Sequence, residues 1–379
     1  MGFSFRYFFC AAAACVASEA LAADEFTGVT ASDIDPAPLA KLEQAIARGD
    51  YPNTTSVLIV RDGKLAYEHY FGEGSAAFLN NTRSATKFVT TLALGAAISE
   101  AAIPSDHARA FEYLKDLKPF KNDTEDKEAI TLQDMLSMSS ALACDDGDDD
   151  SPGNEDKMHP QPNWTRWAVD LPTQPGYARD GAGLGPFRYC TTNAFLVGQI
   201  IQRATHMAVD RFTEDRILRP LGIRNWQWSY SPAKEAMTGG GLELRSRDLA
   251  KIAWMTLSAG RWQDKQILPQ TWIDAALTVR RASRPNQNYG YFIFEGDFKT
   301  ACGLRPVWYM AGTGGSQILI LRDQGAAIVV TRTAFKLRGT SAQTVDMLEK
   351  YILSALPCRT SNWGPGRANF AASCIIAPS

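Results

Sequence analysis

The sequence predicts a mixed α/β (α+β) fold: one antiparallel sheet built from both chain ends and flanked by helices, with a mainly helical subdomain inserted between them. Three observations lead there. Strand-like apolar runs cluster near the two ends, at 56–71 and 289–331. The stretch between them, from about 105 to 230, carries helix-period patterns separated by long loops. Asp62-Gly63 joins the first two strands by a two-residue turn, which fixes them as an antiparallel hairpin. Strands at both ends and helices in the middle are most economically satisfied by one shared sheet, with the ligand site in the cleft between sheet and insert.

Residues 1–22 read as an export leader. Arg6 supplies a short positive region, 7–17 is apolar and small, and Ala20-Leu21-Ala22 fits the small-x-small cleavage rule. The mature chain then begins near Ala23, and the apolar run is too short to span a bilayer. Lipoprotein processing at Cys15, after Ala12-Ala13-Ala14, is the alternative. One domain, 23–379, follows, with the helical subdomain at about 105–235 and a tail at 357–379. Periplasmic or secreted localisation is therefore expected.

Within the domain, a Pro-rich linker leads to a short amphipathic helix at 39–46. Ser56-Val57-Leu58-Ile59-Val60 is a buried strand, and 64–71 returns as its partner, alternating at first through Leu65 and Tyr67. A long buried helix starts near Ser84. Helices follow at 132–138, 194–203 and 242–259. The chain returns to strands at 289–294, 307–311, 317–321 and 326–331, and 345–356 closes as an amphipathic helix. No repeats are present, and the only low-complexity tract is 145–150.

The 379 residues, 45% apolar and 21% charged, have ordinary globular composition. A net charge of −2 gives no reason to expect nucleic acid or an anionic membrane as partner. Of seven cysteines, Cys144, Cys190, Cys302, Cys358 and Cys374 follow the leader. Cys358 and Cys374 bracket a Gly/Pro-rich tail and are expected to close it. Cys144 and Cys190 are the second expected bridge, which leaves Cys302 unpaired. No cysteine spacing fits a zinc site, and the acidic run at 145–150 fails the EF-hand spacing, so it is expected to be a solvated loop. Neither metal nor cofactor is expected.

The chemistry centres on Ser84-Ala85-Thr86-Lys87. Apolar residues follow at helical spacing (Phe88, Val89, Leu92, Ala96), which predicts a helix with Ser84 in its first turn. Residues three apart on a helix share a face, so the Lys87 amine reaches the Ser84 hydroxyl. A serine needs a nearby base to become a nucleophile, and a lysine amine serves as base only when uncharged; burial at a helix start disfavours the charge. The N–H of Ser84 at that start is free to stabilise an oxyanion. Ser-x-x-Lys also occurs at Ser231-Pro232-Ala233-Lys234, but Gly239-Gly240-Gly241 follows too soon for a long helix, so this copy reads as a turn. Tyr189, just before the 194–203 helix, is the candidate second proton carrier. Trp308-Tyr309-Met310-Ala311-Gly312-Thr313-Gly314-Gly315 reads as strand, glycine-rich bend and sheet edge, against which a substrate backbone could lie. The histidines are four, and no Gly-x-Ser-x-Gly elbow accompanies them.

In this order, Ser84-Ala85-Thr86-Lys87, Tyr189-Cys190-Thr191 and the strand 309–315 resemble the serine β-lactamase-related family of class C β-lactamases, DD-peptidases, esterases and 6-aminohexanoate-dimer hydrolases. Ile130-Thr131-Leu132-Gln133-Asp134, Gly239-Gly240-Gly241-Leu242 and Gly260-Arg261-Trp262 are similar to further segments of it, so the resemblance covers about 50–355. It implies a β-lactamase/transpeptidase-like fold. It implies Ser84 as the acylated nucleophile, Lys87 as proton acceptor and Tyr189 as general acid/base. The Ser84 and Gly312 N–H groups would form the oxyanion hole, with Thr191 and Tyr309 contacting substrate. Members acting on β-lactams carry Asn where Thr191 stands, and Lys or His, then Thr or Ser, then Gly where Tyr309-Met310-Ala311 stands. Lys299-Thr300-Ala301 is the lesser alternative for that triplet. The pattern is most similar to the 6-aminohexanoate-dimer hydrolase-like branch. It implies a serine hydrolase of the carboxylesterase or amidase type, acting on a small-molecule or short peptide-like substrate. A β-lactamase or DD-peptidase is the first alternative, and a non-catalytic cell-envelope binding protein on the same scaffold the second.

Overall fold

A computed structural model describes residues 34–358 and Phe26. The leader 1–22, Cys15, the start at Ala23 and Cys374 with the tail beyond 358 lie outside the described residues. Helix α1 (Pro36–Ala47) starts where the Asp35 carboxylate accepts the Ala37 N–H, and it buries Leu39, Leu42 and Ala45. Strand β1 (Thr54–Arg61) is buried along its whole length, which explains its unbroken apolar run. Asp62 and Gly63 both have positive φ, as the tight turn requires, and β2 (Lys64–Tyr70) runs back beside β1. After β3 (Asn80–Asn81) comes a 3₁₀ turn, Arg83–Ala85, and then α2 (Thr86–Ser99). Ser84 thus sits in the tight turn that leads into the predicted helix, two residues before its first residue.

The middle of the chain is less helical than its pattern suggests. It holds a 3₁₀ stretch, Ala110–Leu117, and the short helices α3 (Glu125–Glu128), α4 (Leu132–Leu136), α5 (Glu155–Met158) and α6 (Trp164–Val169). The long α7 (Thr191–Thr205) and short α8 (Val209–Thr213) follow. Strands β4 (Trp226–Trp228) and β5 (Leu242–Leu244) form a small sheet with β3. The helix expected at 242–259 is therefore two elements, because 242–244 pairs with strands on both sides before α9 (Ser246–Leu257) begins. A two-stranded ribbon, β6 (Arg261–Trp262) and β7 (Lys265–Gln266), precedes α10 (Gln270–Ala276).

The rest of the main sheet then forms from β8 (Arg281–Arg284), β9 (Gln287–Tyr289), β10 (Phe294–Thr300), β11 (Gly303–Gly312), β12 (Ser316–Leu321) and β13 (Ala326–Arg332). The strand expected at 289–294 is broken. Gly290 packs so that an added Cβ would lie 2.4 Å from the Ala276 carbonyl, and Phe292 takes positive φ. The sheet is antiparallel in the order β2-β1-β13-β12-β11-β10-β9-β8, so the two ends of the chain meet at β1 and β13, as predicted. On one face Leu58, Val60, Ile318 and Val329 pack into the core with α2 and α9; on the other Val57, Ile59, Leu319 and Val330 meet α1 and α11 (Thr340–Met347). The closing helix expected at 345–356 starts earlier, at Thr340, and its last turns tighten and widen locally up to Ala355.

Cys144 is bonded to Cys190, as expected, but Cys358 is bonded to Cys302 and not to Cys374. The segment 348–355 packs on β10, which brings Cys358 to the β10–β11 turn, where the Cα atoms of the two cysteines are 5.3 Å apart. Among the described residues no helix is long and apolar enough to cross a membrane.

Gly95 lies inside α2, where a Cβ would stand 2.2 Å from Cδ1 of Trp272. The indole cannot retreat freely, because its Nε1–H donates to the Thr91 carbonyl at 3.1 Å. Gly95→Ala is therefore expected to destabilise the protein by about 1–3 kcal/mol despite the better helix propensity of alanine, measured as a lower denaturant midpoint.

Candidate active site

Four separated segments converge on Ser84. The turn that carries Ser84 is itself held in an uncommon conformation. Arg83 has φ of +51°, its N–H donates to Asn81 Oδ1 at 3.1 Å, and its guanidinium lies 4.5 Å from the centroid of the Phe335 ring. One turn on, the Lys87 amine is 2.9 Å from Ser84 Oγ and donates to the Gly239 carbonyl at 2.7 Å. Lys87 is fully buried. A buried amine needs such partners, and the polar residues of this otherwise apolar helix supply the frame for them. Thr86 Oγ1 accepts the Leu242 N–H at 3.2 Å and Thr90 Oγ1 donates to the Thr238 carbonyl at 2.7 Å, so 238–242 is laced along α2.

The third segment carries Tyr189, which precedes α7 as the sequence predicts. Its ring centroid is 5.0 Å from Lys87 Nζ. The ring stacks on Phe294 at 6.0 Å and an interplanar angle of 11°, and it meets Tyr289 edge-on. The fourth segment is the end of β11. A Cβ on Gly312 would lie 1.9 Å from the Thr82 carbonyl, so only glycine lets the strand approach the Ser84 turn this closely. Ser84, Tyr189, Tyr309 and Gly312 line one cavity of about 580 Å³. Tyr309 is mostly buried, stacks on Phe294 and accepts from Gln287 Nε2 at 2.5 Å; burial pushes its phenol up.

Thr191 departs from the substrate contact expected of it. Its side chain is buried and packs on Gly239, whose carbonyl receives the Lys87 amine, and it does not line the cavity. Lys299-Thr300-Ala301 lies at the opposite end of the ten-residue strand β11, about 30 Å from Gly312 at strand rise, and is no part of the site. The second Ser-x-x-Lys is a turn: Ser231 Oγ donates to Glu235 at 2.7 Å and Lys234 is exposed with positive φ.

The acidic run 145–150 was expected in solvent, and 147–150 is exposed. Asp145 and Asp146 instead line the cavity. Asp145 pairs with Arg188 at 3.5 Å. Asp146 is half-buried; burial pushes its carboxyl up, and the Lys87 charge holds it back. The Cys144–Cys190 bond folds this stretch over the start of α7, and the sequence signal for it was the cysteine beside each segment. Arg284, from β8, and Glu155, from α5, complete the charged rim. Among the described residues, no three His, Cys, Asp or Glu side chains gather as a metal site.

The family described as Beta-lactamase matches residues 40–343. Among solved structures, the chain is similar to a putative 6-aminohexanoate-dimer hydrolase from Bacillus anthracis (18% identity, 82% of each chain covered, TM-score 0.64). It is also similar to a D-stereospecific amidohydrolase from Streptomyces sp. (20% identity, 82% of this chain and 98% of that one, TM-score 0.62). A third is EstCE1, a hydrolase with promiscuous acyltransferase activity (14% identity, 83% of this chain and 99% of that one, TM-score 0.66). No curated protein matches the chain.

Gly312→Ala is expected to push the end of β11 away from the turn that carries Ser84. The rate at which a fluorophosphonate labels Ser84 should fall about 100-fold, the size of effect seen when one oxyanion donor is lost.

Proposed function

The chain belongs to the beta-lactamase family of serine hydrolases, and from that premise we propose that it is an exported enzyme cleaving an ester or amide bond through an acyl-enzyme on Ser84. The observation that carries this reading is the Lys87 amine, withdrawn from solvent and set 2.9 Å from Ser84 Oγ. In the acylation step Ser84 Oγ attacks the substrate carbonyl carbon and its proton passes to the Lys87–Tyr189 pair. The carbonyl oxygen gathers negative charge against the N–H groups of Ser84 and Gly312. Tyr189 then returns the proton to the departing alcohol or amine as the carbon–heteroatom bond breaks. Water, deprotonated by the same pair, attacks the acyl carbon and releases Ser84.

An ester or amide is favoured over a β-lactam by the third strand. Tyr309-Met310-Ala311 offers no cation of its own to a substrate carboxylate, and Thr191 faces inward. The names of similar structures, an amidohydrolase, a hydrolase with acyltransferase activity and a putative 6-aminohexanoate-dimer hydrolase, support the same choice. The two disulfides fit an oxidising compartment, in keeping with the leader read at 1–22.

Incubation with a panel of esters, short amides and β-lactams, followed by mass spectrometry, is expected to reveal an acyl adduct on Ser84 with esters or amides and little with penicillins. Ser84→Ala should abolish turnover. Lys87→Ala and Tyr189→Phe should each lower kcat/KM by about 10²–10⁴-fold. Ester hydrolysis retained by folded Ser84→Ala protein would falsify the reading.

A further inference from the structure

Resting on that function, we infer that Asp146 is a positioning residue: it holds Tyr189 in register with Lys87, and its negative charge sets the pH at which that pair works. The geometry is specific. Asp146 donates its own N–H to the Tyr189 carbonyl at 2.8 Å, while its Oδ2 accepts the Thr191 N–H at 2.6 Å. One residue thus grips the chain on both sides of Cys190, which is itself bonded to Cys144. The second carboxylate oxygen, Oδ1, accepts the Glu155 N–H at 3.0 Å, which fixes the plane of the group.

The start of α7 gives this grip a reason. The first N–H groups of a helix lack internal partners, and Cys190, at the cap position, offers no side-chain acceptor. Asp146 supplies the cap from a distant segment, and a carboxylate there also meets the positive end of the helix. Tyr189 directly precedes that cap, so the residue whose carboxylate closes the helix also holds the Tyr189 carbonyl through its own N–H.

The charge matters because of what faces it. Lys87 approaches from α2, Glu155 from α5 and Tyr289 from β9, with Tyr189 alongside; the Asp145–Arg188 pair lies next to it on the rim. Burial raises the Asp146 carboxyl, and the Lys87 charge works against that rise. A negative charge at this point makes a proton harder to remove from the Lys87–Tyr189 pair.

The test is the rate of fluorophosphonate labelling at Ser84, measured against pH on the full chain. Asp146→Asn keeps shape and one acceptor but removes the charge. Its maximal labelling rate is expected to fall about 10- to 100-fold through loss of alignment. Its acid limb should move to lower pH by roughly one unit. Asp146→Glu retains the charge, so its acid limb should stay where the unmodified protein has it even if labelling slows. An Asp146→Asn profile identical to that of the unmodified protein overturns the inference. So does a uniform slowing with the limb unmoved, which reports packing alone, or an equal limb shift in Asp146→Glu. If Asp146→Asn does not fold, a limb displaced in Asp146→Glu overturns the inference and an unmoved one supports it. An unmodified protein that takes no label at Ser84 instead sinks the proposed function, and this inference with it.

Discussion

The burial of one amine organises this molecule. A lysine withdrawn from water must find oxygen partners within the protein, and Lys87 finds the Ser84 hydroxyl and the Gly239 carbonyl. Satisfying it draws three parts of the chain together: the turn at Arg83–Ala85, the helix Thr86–Ser99 and the glycine run at 239–241. Thr86 and Thr90 reinforce the same contact from the helix side. The polar stripe along an otherwise apolar helix is therefore a docking edge. Without it, the segment after β4 would have no reason to lie against the Ser84–Lys87 pair.

Close approach is bought with glycine at each junction. Gly312 lets β11 reach the Thr82 carbonyl, and Gly239 leaves room for the Thr191 methyl, where a Cβ would stand 2.6 Å away. Aromatic rings then hold what backbone alone cannot. Phe294 stacks on Tyr189 on one side and on Tyr309 on the other, so a single ring spans the seam between the sheet and the inserted segment. Tyr189 and Tyr309 are thus positioned by ring contact with Phe294.

Much of this was legible in the residues, and the boundary is physical. The Ser84–Lys87 pair follows from helical periodicity, the β1–β2 hairpin from turn chemistry, and the meeting of the chain ends from the order of elements. Where local pattern and tertiary contact disagree, the sequence misleads. Leu242 to Leu244 fits a helix until strands flank it on both sides. Asp146 belongs to a run of acids that composition assigns to solvent, and only the Cys144–Cys190 bond and the open start of α7 turn it inward. Thr191 occupies a motif position, yet its first place in the helix points its side chain to the interior. Cys358 finds Cys302 because of how the last helical turns pack, which no spacing encodes.

The pairing of β1 with β13 has a bearing on how the chain comes to be folded. Thr54 faces Arg332, so this ladder joins residues nearly the whole domain apart. A ribosome must deliver almost everything before that ladder can close, and until then the apolar edge of the first hairpin has no neighbour. Such distant closure slows folding, because the loop must be closed before its contacts can form. Until the last strands have been made, the early hairpin has no sheet to lock into, and the chain stays open however much of its middle has already taken shape.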